Sequence, residues 1–313
     1  MTTGGNLLYR ALEQNMPGVL SRRYRDLAFE NGKIVPTKAD LKPGAAEVVR
    51  NTIDEVGDAD IVGDGAFDIP IVDVSANEDR YKVFMIASAF SYTFQQERAY
   101  SFAGAKADID NRKQMLAKRS IAERHHRIAA FGDTRLNVTG FLNNAGVALN
   151  NSSFDPNTAA PDELAEFFVD ELKAAHTASN NVEMPMDVLI STGFYFKLVK
   201  TRMPDSSVSV LTYIKQALSE EDVNFNITKC QECDSAQLET NGVQALSTNK
   251  DLITLYTKDP EVVERHIELV QMMPQEWITV RDGRRVYPMF SSTTSTIINY
   301  PGAFRYIKVP KVN

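Results

Sequence analysis

Between Phe94 and Val147 the chain runs without a proline and is rich in Ala, Lys, Arg, Gln and Glu, which favours a long helix. Ile109, Leu116, Ile121, Ile128 and Phe131 fall within roughly 140° of one side at about 100° per residue. The pattern predicts a long spine helix in the middle of this stretch, apolar along one side and wet on the other, lying across a sheet. Gly132-Asp133 is its stop, and the turn-rich Thr139-Gly140-Phe141-Leu142-Asn143-Asn144 re-enters packed structure.

Upstream, residues 69–74 and 81–94 read as strands joined by a polar turn, Ser75-Ala76-Asn77-Glu78-Asp79. In the second strand Phe84, Ile86, Phe90, Tyr92 and Phe94 share one face. A hairpin this long and aromatic needs a helix of its own or a neighbouring chain to pack on. Residues 46–66 are ambiguous. Val49, Ile53 and Val56 suit a helix ending at Gly57, and equally an extended strand broken there. Residues 1–45 read as an arm. Leu7, Leu8 and Leu12, then Leu20, Tyr24 and Leu27, make short helical pieces interrupted by Pro17-Gly18, Asn31-Gly32, Pro36 and Pro43-Gly44. Such a segment cannot close a core.

Downstream, residues 149–161 read as a polar loop. A helix over 162–179 follows, with Leu164, Phe167, Phe168, Leu172 and Ala175 on one face. Strands at 186–190, 225–228 and 252–256 alternate with helices at 192–202 and 208–218, the pattern of a compact α/β unit. The tail over 284–308 is strand-like.

At 313 residues the chain holds two domains or one elaborate one. A net charge of −7 argues against bulk attraction to nucleic acid or anionic membrane. No apolar run approaches the roughly 18 residues a membrane span needs. The first residues lack the basic and apolar regions of a secretory signal. The two cysteines make no disulfide framework, so a reducing cytoplasm is the expected folding compartment.

Candidate chemistry is thin. Cys230 and Cys233 lack the second pair that zinc needs, and read as loop cysteines without a shared role. Asp58, Asp60, Asp64 and Asp68 fail the calcium-loop pattern, because Val62 and Ile69 stand where ligands belong. His125 and His126 point about 100° apart on a helix and cannot share a metal, so they read as a solvated or interface face. Within residues 106–133, seven basic residues against four acidic ones suggest a charge-laced surface helix. No phosphate loop or nucleophile elbow is present. No catalytic, cofactor-binding or metal residues are assigned.

Five segments, in order, resemble tailed-bacteriophage major capsid proteins: residues 56–61 (VGDADI), 68–73 (DIPIVD), 94–99 (FQQERA), 128–133 (IAAFGD) and 139–147 (TGFLNNAGV). The last is similar to a signature shared with encapsulin shell proteins, with Phe141 where Leu is usual. Residues 160–262 carry no matching motif.

The resemblance implies an α+β chain of the Hong Kong ninety-seven-type capsid fold. Its parts would be an N-terminal arm (1–45), an extended loop (46–95), a peripheral domain with the spine helix (96–158 and 265–313) and an axial α/β domain (159–264). It favours the extended reading of residues 46–66. It implies a structural protein, not an enzyme, forming hexameric and pentameric capsomers of an icosahedral head. Portal, scaffold and decoration proteins would be partners, and double-stranded DNA would lie non-specifically on the inner face. The protein would be assembled in the host bacterial cytoplasm and reside in the virion. Phe84, Ile86, Phe90, Tyr92, Leu20 and Tyr24 are the candidate inter-subunit contacts. An encapsulin-type compartment is the alternative reading. A small redox or metal enzyme using Cys230 and Cys233 is the reading from another class.

Overall fold

The computed structural model describes residues 23–56, 72–102, 106–204, 206–219, 225–243, 249–274, 277–281 and 283–312. The acidic turn at Asp58–Asp68 and Leu20 lie outside these residues.

Strand β2 (Glu47–Val56) pairs antiparallel with β3 (Asp73–Thr93), from Glu47↔Lys82 to Val56↔Asp73. For residues 47–56 the extended alternative is therefore the observed one. The expected polar turn is not a turn. Residues 75–79 continue one 21-residue strand, because Ile53, Asp54 and their neighbours supply a partner for each of them. The inner half of β3 pairs on its other edge with β11 (Arg284–Thr294), and β9 (Gln271–Met272) and β10 (Thr279–Arg281) flank β11. Pro288 stands opposite Ala89 and costs β3 no hydrogen bond, since by the alternation of the ladder its nitrogen faces the β9 side.

A short helix, α1 (Phe94–Phe102), leads toward the spine helix, α2 (Lys106–Phe131). Ile121, Ile128 and Phe131 are buried as expected, but Leu116 is exposed beside Met115. Apolar contact with the sheet is made by Ala117 and Ile121, which meet Met289, Ile86 and Phe90.

The helix ends at Gly132, whose φ of +69° suits glycine. The sequence 139–147 then satisfies carbonyls that the helix end leaves open. The Phe141 and Leu142 N–H groups donate to the Ala129 and Ala130 carbonyls at 2.8 and 2.9 Å. The Asn143 side chain donates to the Phe131 carbonyl at 2.9 Å. Phe141 and Leu142 are fully buried.

Strand β4 (Ala148–Asn151) runs parallel to β13 (Phe304–Pro310), replacing the expected loop at its start. The sheet continues through β7 (Lys250–Tyr256), β5 (Asp187–Ile190) and β6 (Asn226–Lys229). The expected boundaries at 158/159 and 264/265 therefore cut through one hydrogen-bonded sheet. Alternate residues explain why it is apolar on both faces. Leu252, Tyr256, Phe304 and Tyr306 join a core with Phe29, Ile34, Phe141 and Leu142. Ile253, Leu255, Ile307 and Val309 join a second core with helix α3 (Pro161–Ala178), α4 (Thr192–Lys200) and α5 (Val210–Ser219). All five apolar residues expected on α3 are buried.

Segment 23–38 is tied to the body. Leu27, Phe29, Ile34 and Val35 are buried, and β1 (Thr37–Lys38) pairs parallel with β8 (Val263–His266). The arm expected over 1–45 thus contributes core residues from Leu27 onward. Strand β12 (Ile297–Ile298) pairs antiparallel with β8, and a short helix, α6, spans Ser235–Thr240.

Candidate assembly surface

The Val83 N–H donates to the Ala46 carbonyl at 2.9 Å, so odd-numbered residues of β3 turn their peptide groups toward the β2 side. On that side pairing stops where the chain of β2 leaves at Glu47. Among the described residues, Met85, Ala87 and Ala89 then present N–H and C=O groups to no strand. Lys113 closes the inner end of this edge: its ammonium donates to the Ser91 carbonyl at 2.7 Å and lies 3.8 Å from the centre of the Tyr92 ring. Beside the open edge runs a groove of about 630 Å³, walled by Ile121, Arg124 and Ile128 of the spine helix and by Leu136. An exposed edge of this kind is a template for another strand.

The outer hairpin stands further from the body. Every residue from Val74 to Arg80 is exposed. Val49, Ile53, Val72 and Val74 are 47–63% exposed, and β2 is the last strand of its sheet. The hairpin is anchored at its base, where Arg50 pairs with Glu264, which also holds Lys38 at 2.5 Å. Arg80 pairs with Glu78 at 2.9 Å along the hairpin itself.

The sequence-derived contact residues sort differently than expected. Tyr92 is 7% exposed, and burial first, then the nearby Asp110 carboxylate, pushes its phenol far above the ordinary value. Phe90 stacks on Tyr287 at 5.2 Å, and both Phe90 and Ile86 pack against Ala117, Ile121 and Met289. Within the subunit the spine helix packs on Ile86 and Phe90, which stay half-buried, and Ile86 also lines the groove. Phe84 is half-buried at the groove. Tyr24 is exposed, under the Arg119 guanidinium at 4.2 Å. The residues that face outward are Val49, Ile53, Val74 and Met85. Their signal in the sequence was the apolar alternation of 49 and 53, which also fitted a helix.

The titratable clusters are interior. His125 and His126 are each 1% exposed, correcting the solvated reading, because segment 23–36 lies over them. Cys230 and Cys233 are free and buried in the first core. The hydrogen bond with Cys230, then burial, holds the Cys233 thiol well above the ordinary range, the opposite of a redox nucleophile. Among the described residues no group of three or more His, Cys, Asp or Glu is placed to hold a metal. No described helix is long and apolar enough to cross a membrane.

A family model described as major capsid protein matches residues 57–308. No curated protein matches. Among solved structures, the capsid of Myoviridae phage XM1 superposes with a TM-score of 0.77 at 15% identity, covering 98% of this chain and 99% of that one. The capsid asymmetric unit of cyanophage Pam1 gives 0.58 at 13% identity, with 95% and 96% covered. The holo-SrpI encapsulin complex from Synechococcus elongatus PCC 7942 gives 0.57 at 14%, with 98% and 96% covered. These likenesses establish the fold, which phage capsids and encapsulins share. A capsid protein works as many copies in a shell and resides in the virion. The family match over most of the length, on a fold of the Hong Kong ninety-seven type, makes this chain a member of the major capsid protein family, a structural protein rather than an enzyme.

Proposed function

We propose that the chain builds hexameric and pentameric capsomers of an icosahedral phage head that encloses double-stranded DNA. The observation that carries this reading is the hairpin of β2 and β3. Val74 to Arg80 are all exposed, Val49, Ile53 and Val74 turn outward, and nothing of its own chain lies over these residues among the described ones. Neighbouring copies cover the hairpin and add to the open edge at Met85–Ala89. Such contacts are heterologous and close into rings. At roughly 25 cal/mol per Å² of apolar surface, many modest patches sum to a strong shell. Exposed Arg112, Lys118 and Arg127 on the spine helix offer local basic charge to packaged DNA, while a net charge of −7 limits general adhesion to it. Assembly takes place in the host bacterial cytoplasm, with separate portal and scaffold proteins and, in some heads, decoration proteins.

An encapsulin-type compartment is the second reading, favoured only by the shared fold. Electron microscopy of the purified protein tests shell formation: closed particles or capsomers support it, and a stable monomer at high concentration refutes it. Nucleic acid rather than an enzyme cargo inside particles from infected cells separates the two shells.

A further inference from the structure

Helix α3 carries two acids without a cation of their own chain among the described residues. Glu166 and Asp170 are exposed and stand one turn apart on one side of the helix. Both lie beyond the first turn, so the helix dipole does not account for them. They rim a groove of about 500 Å³ whose apolar lining includes Val169, Met203, Tyr213 and Ala217. Val169 and Tyr213 are exposed there.

The far flank of the same helical layer is basic. Lys200 is exposed at the end of α4, and Lys229 is exposed at the end of β6, the last strand of its sheet. The Lys229 ammonium lies 5.5 Å from the centre of the Phe196 ring. Phe196 and Val199 are exposed on the same side of α4 as Lys200. Neither lysine has a carboxylate partner among the described residues.

The fold holds the two patches apart. Glu171 of α3 accepts from Arg305 of β13 at 2.8 Å and from Asn150 of β4 at 2.7 Å, which sets α3 over that edge of the sheet. Lys229 against Phe196 sets α4 beside the other edge, and α5 packs against both helices. Patches on opposite flanks cannot meet each other within one chain. Nor can both be filled in a twofold pair, so each copy takes one neighbour on each side, a head-to-tail contact.

We propose that the Glu166–Asp170 side of α3 receives the Phe196, Lys200 and Lys229 side of the next copy around a capsomer. Phe196 and Val199 enter the groove beside Val169 and Tyr213, and the two lysines meet the two carboxylates. Exposed ion pairs add little strength, but like charges brought together are costly, so the pairing fixes partner and register. This contact rests on the capsomer reading above and sets which surface of one copy docks on which surface of the next.

Charge reversal in the full-length protein tests the contact. Glu166→Lys with Asp170→Lys, and separately Lys200→Glu with Lys229→Glu, are expected to keep the wild-type circular dichroism and to lose capsomers and particles in electron micrographs. All four changes in one chain are expected to restore them. An equal mixture of the two double variants pairs unlike charges only where the chains alternate. It is therefore expected to give six-membered rings and no five-membered ones in native mass spectra. Double variants that assemble like the wild type, or a folded fourfold variant that stays monomeric, overturn the contact alone. A wild type that forms no rings removes the capsomer reading and the contact with it. Should a variant not fold, wild-type particles assembled from light and nitrogen-15-labelled chains decide. A carbodiimide must join Glu166 or Asp170 of one copy to Lys200 or Lys229 of another. Links from these side chains only to a different protein, or none between copies, refute the docking.

Discussion

Gly140 lies so close to Gly132 that a Cβ on Gly140 would stand 2.4 Å from the Gly132 nitrogen. A Cβ on Gly132 would stand 2.0 Å from the Val138 carbonyl oxygen. The two glycines let the chain fold back onto the end of the spine helix, which brings the Phe141 and Leu142 N–H groups to the open carbonyls.

Gly140→Ala is therefore expected to destabilise the subunit by about 1–3 kcal/mol or more, since backbone must move. Gly302→Ala, with nothing within 4 Å of the added carbon, is expected to stay within about 0.5 kcal/mol. Urea midpoints of the two variants check the pair, and equal midpoints would contradict the account.

The sheet face predicts a contrast between Phe90 and Met85. Phe90→Asp places a charge beneath the spine helix, against Ala117, Ile121 and Met289, and is expected to lower subunit stability by several kcal/mol before assembly is reached. Met85→Asp, on a side chain 67% exposed, is expected to leave the circular dichroism unchanged and abolish closed particles in micrographs. Normal shells from Met85→Asp would remove the open edge from the assembly surface.

The N-terminal segment divides near residue 23. Removing residues 2–22 is expected to spare the subunit fold and weaken particle formation. Removing residues 2–30 also takes Leu27 and Phe29, and loss of a buried Phe alone costs about 3–5 kcal/mol. Thermal melts of the two truncations distinguish these outcomes; similar melts would show that Phe29 adds little to the core.

Arg265→Met leaves Glu30 partly buried without its cation and is expected to cost about 3–5 kcal/mol. Adding Glu30→Gln is expected to recover part of that loss. A double-mutant cycle in urea reads the coupling, and strict additivity would rule it out.

Cys230 and Cys233 are expected to react with a thiol reagent only when the chain unfolds, because both are buried in the first core. Rapid labelling of the native protein would show that this core opens.

How much the sequence could say depended on whether a signal was local. Helix propensity and a stopping glycine were enough for the spine helix, and a 3.6-residue apolar period was enough for α3. The run of residues 252–256 read as a strand, and the ordered motifs pointed to the family. None of these needs knowledge of what lies opposite. The fate of each exposed-looking residue did need it. His125 and His126 sit in a charged stretch and read as wet; a strap nearly a hundred residues upstream buries them. Phe90 of β3 read as part of a face awaiting a neighbour; the spine helix of the same chain packs on it. Residues 75–79 read as a turn, because polar composition and turn composition are alike until a partner strand fills every register position. One sheet joins 148–151 and 304–310 to strands from the middle of the chain, a pairing with no short-range trace. Local pattern selects elements and their apolar sides. Which surface meets which is settled by long-range packing, and that packing left the hairpin uncovered among the described residues.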